Sequence, residues 1–285
     1  MAWIPTLMWI VVGATGWAMV DELGSDGAAQ VAVAALAAAA WLVGVAGVAI
    51  PAVLTLTAAR VAVPAAIPVL GALASAGDDV STLDAAGGII AALVAAVVVA
   101  QPEFGRRYVQ ASAYGREDRH LLRAPPSYLL AAAVAWLIVV ALGVGAAAGF
   151  HAENWWLGGV LTAATIATAA FSWPRWHRLG RRWLVLVPAG VVVHDHLVLG
   201  ETLMIPAGEV EVLRLAPADT EAADLTGPAG GHAIEVLTRD PVTAIRAATP
   251  SQPGGTALHL RACLVAPTRP GRALTAARAY RLPVG

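Results

Sequence analysis

"GRRYVQASAYGREDRHLLRAPP", from Gly105 to Pro126, decides how this chain is read. It holds five arginines, Arg106, Arg107, Arg116, Arg119 and Arg123, between two apolar blocks with almost no charge. Short arginine-rich loops between apolar segments are retained on the cytoplasmic side of a membrane. A crossing helix needs about 20 apolar residues at 1.5 Å rise each. Counting back from the stretch gives spans at 83–101, 60–76, 28–50 and 3–20. Residues 28–76 would make one helix about 70 Å long, which suits two crossings. The break is expected within "PAVLTLTAAR", Pro51 to Arg60, where a proline, two threonines and a charge meet. Counting forward gives 128–150 and 155–173, a total of six.

The remaining arginines test that count. Arg175, Arg178, Arg181 and Arg182 follow the sixth span, and Arg60 falls at the second break. "DELGSDG" from Asp21, "GDDVSTLD" from Gly77 and "HAEN" from His151 contain none. Six crossings put every arginine-bearing segment on one side, so both termini are expected in the cytoplasm. On this reading Arg106, Arg107, Arg175, Arg178, Arg181 and Arg182 are topology determinants. Arg116, Arg119 and Arg123 fall at i, i+3 and i+7, which on a helix would form one face able to hold anionic lipid headgroups.

Composition agrees with a multi-pass protein of the bacterial plasma membrane. The 285 residues are 58% hydrophobic and only 13% charged, against about 25% charged in soluble domains. Mean hydropathy is +0.70. All Lys+Arg positions are arginine, which fits a GC-rich bacterial genome. The net charge of −1 provides no bulk field for nucleic acid. Cys263 is the sole cysteine, so no intrachain disulfide can form. The first apolar run lacks a basic leader and reads as a retained helix. Trp3, Trp155, Trp156, Trp173, Trp176 and Trp183 fall where indoles favour the interface, and Trp9, Trp17, Trp41 and Trp136 read as lipid-facing or packing residues. Intramembrane charge marks ion paths, and only Gln30 and Arg60 come near, both at expected helix ends.

From Trp183 the pattern changes to short apolar runs divided by Pro/Gly turns. "WLVLV", "PAG" and "VVVHD" predict a β-hairpin. "LVLG", "TLMIP", "EVEVLRL", "HAIEVLT" and "ALHLRACLVA" predict further strands, and "RPGRALTAARAY" a closing helix. Ala247 to Gly255 reads as a mobile loop. The fold class is therefore an α-helical membrane bundle over residues 1–176 followed by a small, mostly β cytoplasmic domain over 183–285. Strand, "PAG" hairpin, strand, "IPAGEV", strand and terminal helix resemble the bacterial pleckstrin-homology-like (PH-like) domains appended to membrane helices. The whole chain also resembles a group of uncharacterised actinobacterial multi-pass membrane proteins, through "LTLTAARVAVPAA", "FGRRYVQASAYGREDRHLLRAPP", "LGRRWLVLVPAGVVVHDHLVL" and "APTRPG". The first resemblance implies a domain for protein or lipid contacts. The "PAG" hairpin carries no arginine and acidic residues match arginines across the domain, so no basic phosphate pocket is expected in it.

The absence of lysine excludes a P-loop, a Schiff base and a kinase lysine. In "HDH", the period of a strand puts His194 and His196 on one face and Asp195 on the other, a two-ligand metal candidate. Asp21, Glu22, Asp26, Asp78, Asp79, Asp84 and Glu153 are expected to form an acidic outer rim. No cofactor and no catalytic residue is expected. Three functions remain: a scaffold or regulator with a protein partner on residues 183–285, a transporter or channel component, and a membrane enzyme. The lack of polar residues at mid-bilayer depth puts the first ahead.

Overall fold

The computed structural model describes residues 3–23, 27–77, 80–248 and 254–285. Among the described residues, six helices are long and apolar enough to cross a membrane. They are α1 (Ile4–Asp21), α2 (Ala28–Ala49), α3 (Val53–Ala76), α4 (Thr82–Ala100), α6 (Pro126–His151) and α7 (Trp155–Gly180), with a short α5 (Pro102–Gln110) between the fourth and fifth. The chain divides into two compact units: Met1–Gly105 with Ala131–Trp176, and Arg106–Leu130 with His177–Gly285.

In the first unit α1 packs on α2, α3 and α4, and α3 packs on α2 and α4. Trp9 donates its indole N–H to the carbonyl of Trp41, and Trp41 returns the bond to Trp9, both at 3.0 Å. Each indole lies over a glycine: a Cβ on Gly44 would enter the ring of Trp9, and one on Gly13 the ring of Trp41. Small residues let apolar helices approach, and a backbone carbonyl satisfies an indole that lipid could not. Trp136 of α6 donates to the carbonyl of Val61 in α3 at 2.9 Å. Only 6% and 11% of the apolar windows of α6 and α7 are buried, so most of both surfaces is left for lipid.

The third span starts earlier than its sequence suggests. Pro51 and Ala52 break the chain, and the Thr55 hydroxyl accepts the Ala52 N–H at 3.1 Å. A threonine that reads as a breaker thus caps the helix. Arg60 consequently lies inside α3, about 10 Å beyond its start, rather than in a loop. The sixth span also runs on, through Pro174 to Gly180.

The second unit holds two four-stranded sheets. The first, in spatial order, is β1 (Asp118–Leu121), β2 (Arg182–Val187), β3 (Gly190–Asp195) and β4 (Leu203–Pro206), antiparallel throughout. The second comprises β5 (Val210–Leu215), β7 (Ile234–Arg246), β8 (Thr256–Val265) and the two-residue β6 (Ala223–Asp224), in the order β5-β7-β8-β6. Helix α8 (Pro270–Ala279) closes the chain. Leu184, Leu186, Val191, Ile205, Leu213, Ile234 and Val265 fill a common core with Ala273 and Ala277 of α8. Strand β7 continues past the expected "HAIEVLT" because a register shift between Leu237 and Val242 accommodates Pro241. "LVLG" forms no strand of its own. Most of the expected loop at 247–255, residues 249–253, lies outside the described residues.

The largest departure is the first strand. The β unit is not built from residues 183–285 alone, because Asp118–Leu121 pairs with Leu186–Trp183. Gly115, at φ 59°, turns the chain back. Gln110, ending α5, donates to the Glu117 carbonyl at 2.9 Å and accepts the Arg119 N–H at 2.8 Å. Beyond the strand, the Arg123 N–H bonds the Ala266 carbonyl and the Thr268 N–H bonds the Leu121 carbonyl, each at 2.8 Å. The pairing requires the α4–α6 segment and the chain after α7 to share one side of a bilayer. The two crossings between them, α6 and α7, satisfy that requirement.

Candidate functional site

The five arginines of the opening stretch take different environments. Arg106 pairs with Asp118 at 3.4 Å, and Arg119 with Glu117 at 2.7 Å. Arg123 reaches the carbonyls of Pro267 (3.2 Å) and His232 (2.5 Å). Arg107 and Arg116 are exposed. The helical face expected of Arg116, Arg119 and Arg123 does not form: the three occupy a bend, a strand and the segment after it. Strand pairing with β2 takes the backbone hydrogen bonds that a helix would have used.

Arg182, grouped by sequence with the topology arginines, is fully enclosed. Its Nε and Nη2 bond the two Asp195 oxygens at 2.8 and 2.7 Å. The remaining donors reach the carbonyls of Arg123 (2.6 Å) and Thr226 (3.1 Å). One guanidinium therefore ties β2, β3, the α4–α6 segment and the loop at Thr226. Its charge is neutralised internally, whereas Arg178 in the last turn of α7 and Arg181 just after the helix are exposed.

On the opposite face of β3 an aromatic cluster forms at the open end of the β2–β3 hairpin. Trp183 stacks on His194 with ring centroids 4.7 Å apart, and His196 meets His194 edge-on at 4.4 Å. Arg119 lies over Trp183, 5.3 Å from the ring centroid. His194 Nδ1 shares a hydrogen bond with the Thr202 hydroxyl at 3.0 Å, while its Nε2 is buried with no partner among the described residues. Burial, then His196, Arg181 and Arg119, push the His194 imidazole down to about 4 against a smaller opposing effect of Asp195. Arg178, Arg181 and His196 line a half-open hollow of about 350 Å³.

A second hollow of about 400 Å³ runs beside Thr220–Ala223 and His259–Ala262. Its buried acid, Glu235, is bonded by Arg214 at 2.6 Å and by the Thr220 hydroxyl. Burial, then Glu235, push the Cys263 thiol up to about 12, so it is protonated at neutral pH. Among the described residues no three His, Cys, Asp or Glu side chains gather as a metal site. Of the acidic rim, Asp26, Asp78 and Asp79 lie outside the described residues. Glu22 accepts the Ser81 N–H at 3.0 Å, and Ser81 in turn caps α4 through the Asp84 N–H. Trp176 and Trp183, expected at the interface, are buried. Trp176 donates to the Ala132 carbonyl at 3.1 Å.

The sequence puts His194 and His196 on one strand face; β3 ends at Asp195, and His196 meets the His194 ring from the turn that follows. Nothing in the sequence marks Arg182 as a core residue, because Arg181 and Arg182 are adjacent and identical in kind. No family model matches this chain, and neither the curated proteins nor the solved structures yield a match.

Proposed function

We propose that this is a non-enzymatic integral membrane scaffold or regulator whose β-rich unit, PH-like and cytoplasmic, is the interaction module. The observation that carries the reading is the weaving of the two units. The chain passes between them after Gly105, after Leu130 and after Trp176, and the first of these excursions supplies β1. A partner bound to the sheets therefore acts on strands continuous with α5, α6 and α7, which a tail on a single tether would not allow. Strands joined through a "PAG" hairpin and followed by a terminal helix are what the PH-like resemblance implies. The arginine distribution supports the cytoplasmic side. Photocrosslinkers placed at exposed Met204 on β4 and Leu215 on β5 test the reading in intact membranes. Discrete protein adducts from these positions, absent when the probe is at lipid-exposed Leu137, are expected. Failure to form adducts at both β positions would sink the scaffold.

A second reading rests on Arg60. Its place inside α3, near Pro64 and Pro68, is the kind of intramembrane charge that marks a transport path. Solute flux in proteoliposomes that vanishes in Arg60→Gln would favour a transporter.

A further inference from the structure

Arg119, Arg181 and His196 all act on His194 at the open end of the β2–β3 hairpin. Arg178 and Arg181 are exposed and form no ion pair among the described residues. Glu117 holds Arg119, and Asp195 holds Arg182, each at 2.7 Å. Trp183 stacks on His194, whose ring meets that of His196, and the His194 Nε2 atom is buried without a partner among the described residues. We propose that the hollow lined by Arg178, Arg181 and His196 binds a phosphate-bearing anion, either a lipid headgroup or a free phosphate.

The chemistry fits the donors. A guanidinium presents a planar fork that matches phosphate oxygens two at a time, and two such forks with an imidazole supply several charge-assisted hydrogen bonds. The site lies at the opposite end of the hairpin from the Pro188–Gly190 turn, which carries no arginine. Burial contributes most to the depressed His194 imidazole, and the surrounding cations add to it. Arg181 beyond α7, Arg119 on β1 and His196 beside it all disfavour its proton, and Asp195 alone opposes them. A bound anion would relieve that repulsion.

The test uses the full-length protein with ring-labelled histidine in nanodiscs, the His194 and His196 resonances being assigned from His194→Gln and His196→Gln. In one arm, zwitterionic phosphatidylcholine discs receive inorganic phosphate, with sodium chloride at equal ionic strength as control. In the other, phosphatidylglycerol is mixed into the discs and no phosphate is added. A saturable shift of the His196 ring in the first arm identifies free phosphate as a source, and one confined to the second identifies a headgroup. Removing two charge-assisted partners in Arg178→Gln/Arg181→Gln should weaken binding about tenfold or more. Arg239→Gln, an exposed arginine on β7, should leave it unchanged. Arg178 and Arg181 are exposed, so an unaltered unfolding midpoint is expected in the double variant. No saturable shift in either arm, the same shift with chloride, or an undiminished shift in the double variant overturns the proposal.

Discussion

In the helical unit, Trp9 and Trp41 exchange indole hydrogen bonds with each other's backbone carbonyls across two glycines. In the β-rich unit, Arg182 occupies a more closed position and takes a carboxylate and two carbonyls. Both arrangements satisfy buried polar groups, but with different currencies of charge. A helix surrounded by lipid has no water to which an ion could retreat, so neutral indoles and main-chain carbonyls are the tolerable partners. A water-facing unit can enclose an ion provided that it also encloses the counter-ion. The chain follows this division: every arginine except Arg60 and Arg175 belongs to the second unit. Positive charge, which in the sequence looks like a signal about membrane sidedness, is here also building material for the β fold.

The sharpest way to break this comparison is to ask whether the β unit exists without its borrowed strand. A fragment of residues 177–285 lacks β1, leaves Leu184 and Leu186 without Leu122 in their shared core, and removes one carbonyl from the cage of Arg182. It should show no cooperative unfolding transition. The same fragment with 106–125 joined through a Gly/Ser linker should recover one. Equal cooperative transitions in the two fragments would return β1 to the status of a decorative loop. The experiment also alters how any truncation of the full chain is interpreted: deleting everything after α7 strips the α4–α6 segment of its partner.

The same comparison shows why some elements were legible in the sequence and others were not. Six spans can be counted because each is a long apolar run, a property of the residues alone. The β2–β3 hairpin is legible because its turn and its alternation are both local. "DRHL" has neither alternation nor length, and it becomes a strand only because β2 offers an edge and Gln110 and Gly115 aim the chain at it. Arg60 was misplaced by its local surroundings, since Pro51 and two threonines marked a break that Thr55 in fact closes within a few residues. The cluster at His194 and His196 was half visible: the period of the strand put the two rings on one face, but Trp183, Arg119 and Arg181 reach them only through tertiary pairing.

A smaller effect separates the ionic cage from the apolar one. Asp195→Ala leaves Arg182 buried, charged and short of both carboxylate bonds, a loss of about 3–5 kcal/mol for a broken buried pair. Replacing both partners by apolar side chains of similar size, Arg182→Met with Asp195→Leu, should restore much of that stability. Hydrogen exchange of β2 and β3 amides in the full-length protein reads the difference directly. If the double variant is as unstable as the single one, the pair contributes specific geometry that packing cannot replace. The carbonyls of Arg123 and Thr226 would then be the groups left unsatisfied.

The smallest expected effect lies in the helical unit, where no ion is at stake. Gly13→Ala places a methyl group within the indole of Trp41, so that α1 and α2 must separate or the ring must leave its position. Overpacking of this kind costs about 1–3 kcal/mol, less than stranding a charge. The displaced indole also loses its bond to the Trp9 carbonyl, but that carbonyl belongs to a helix and keeps its main-chain partner. The midpoint of unfolding on titration with sodium dodecyl sulfate should therefore fall modestly. Gly13→Ala combined with Trp41→Ala should remove the clash, leaving only the loss that Trp41→Ala produces alone. Non-additivity between the two positions is the signature, because residues in direct contact do not contribute independently. Additive losses, or an unchanged midpoint in Gly13→Ala, would show that the two helices do not meet through this indole. The contrast with the Arg182 cage would then lose its apolar side.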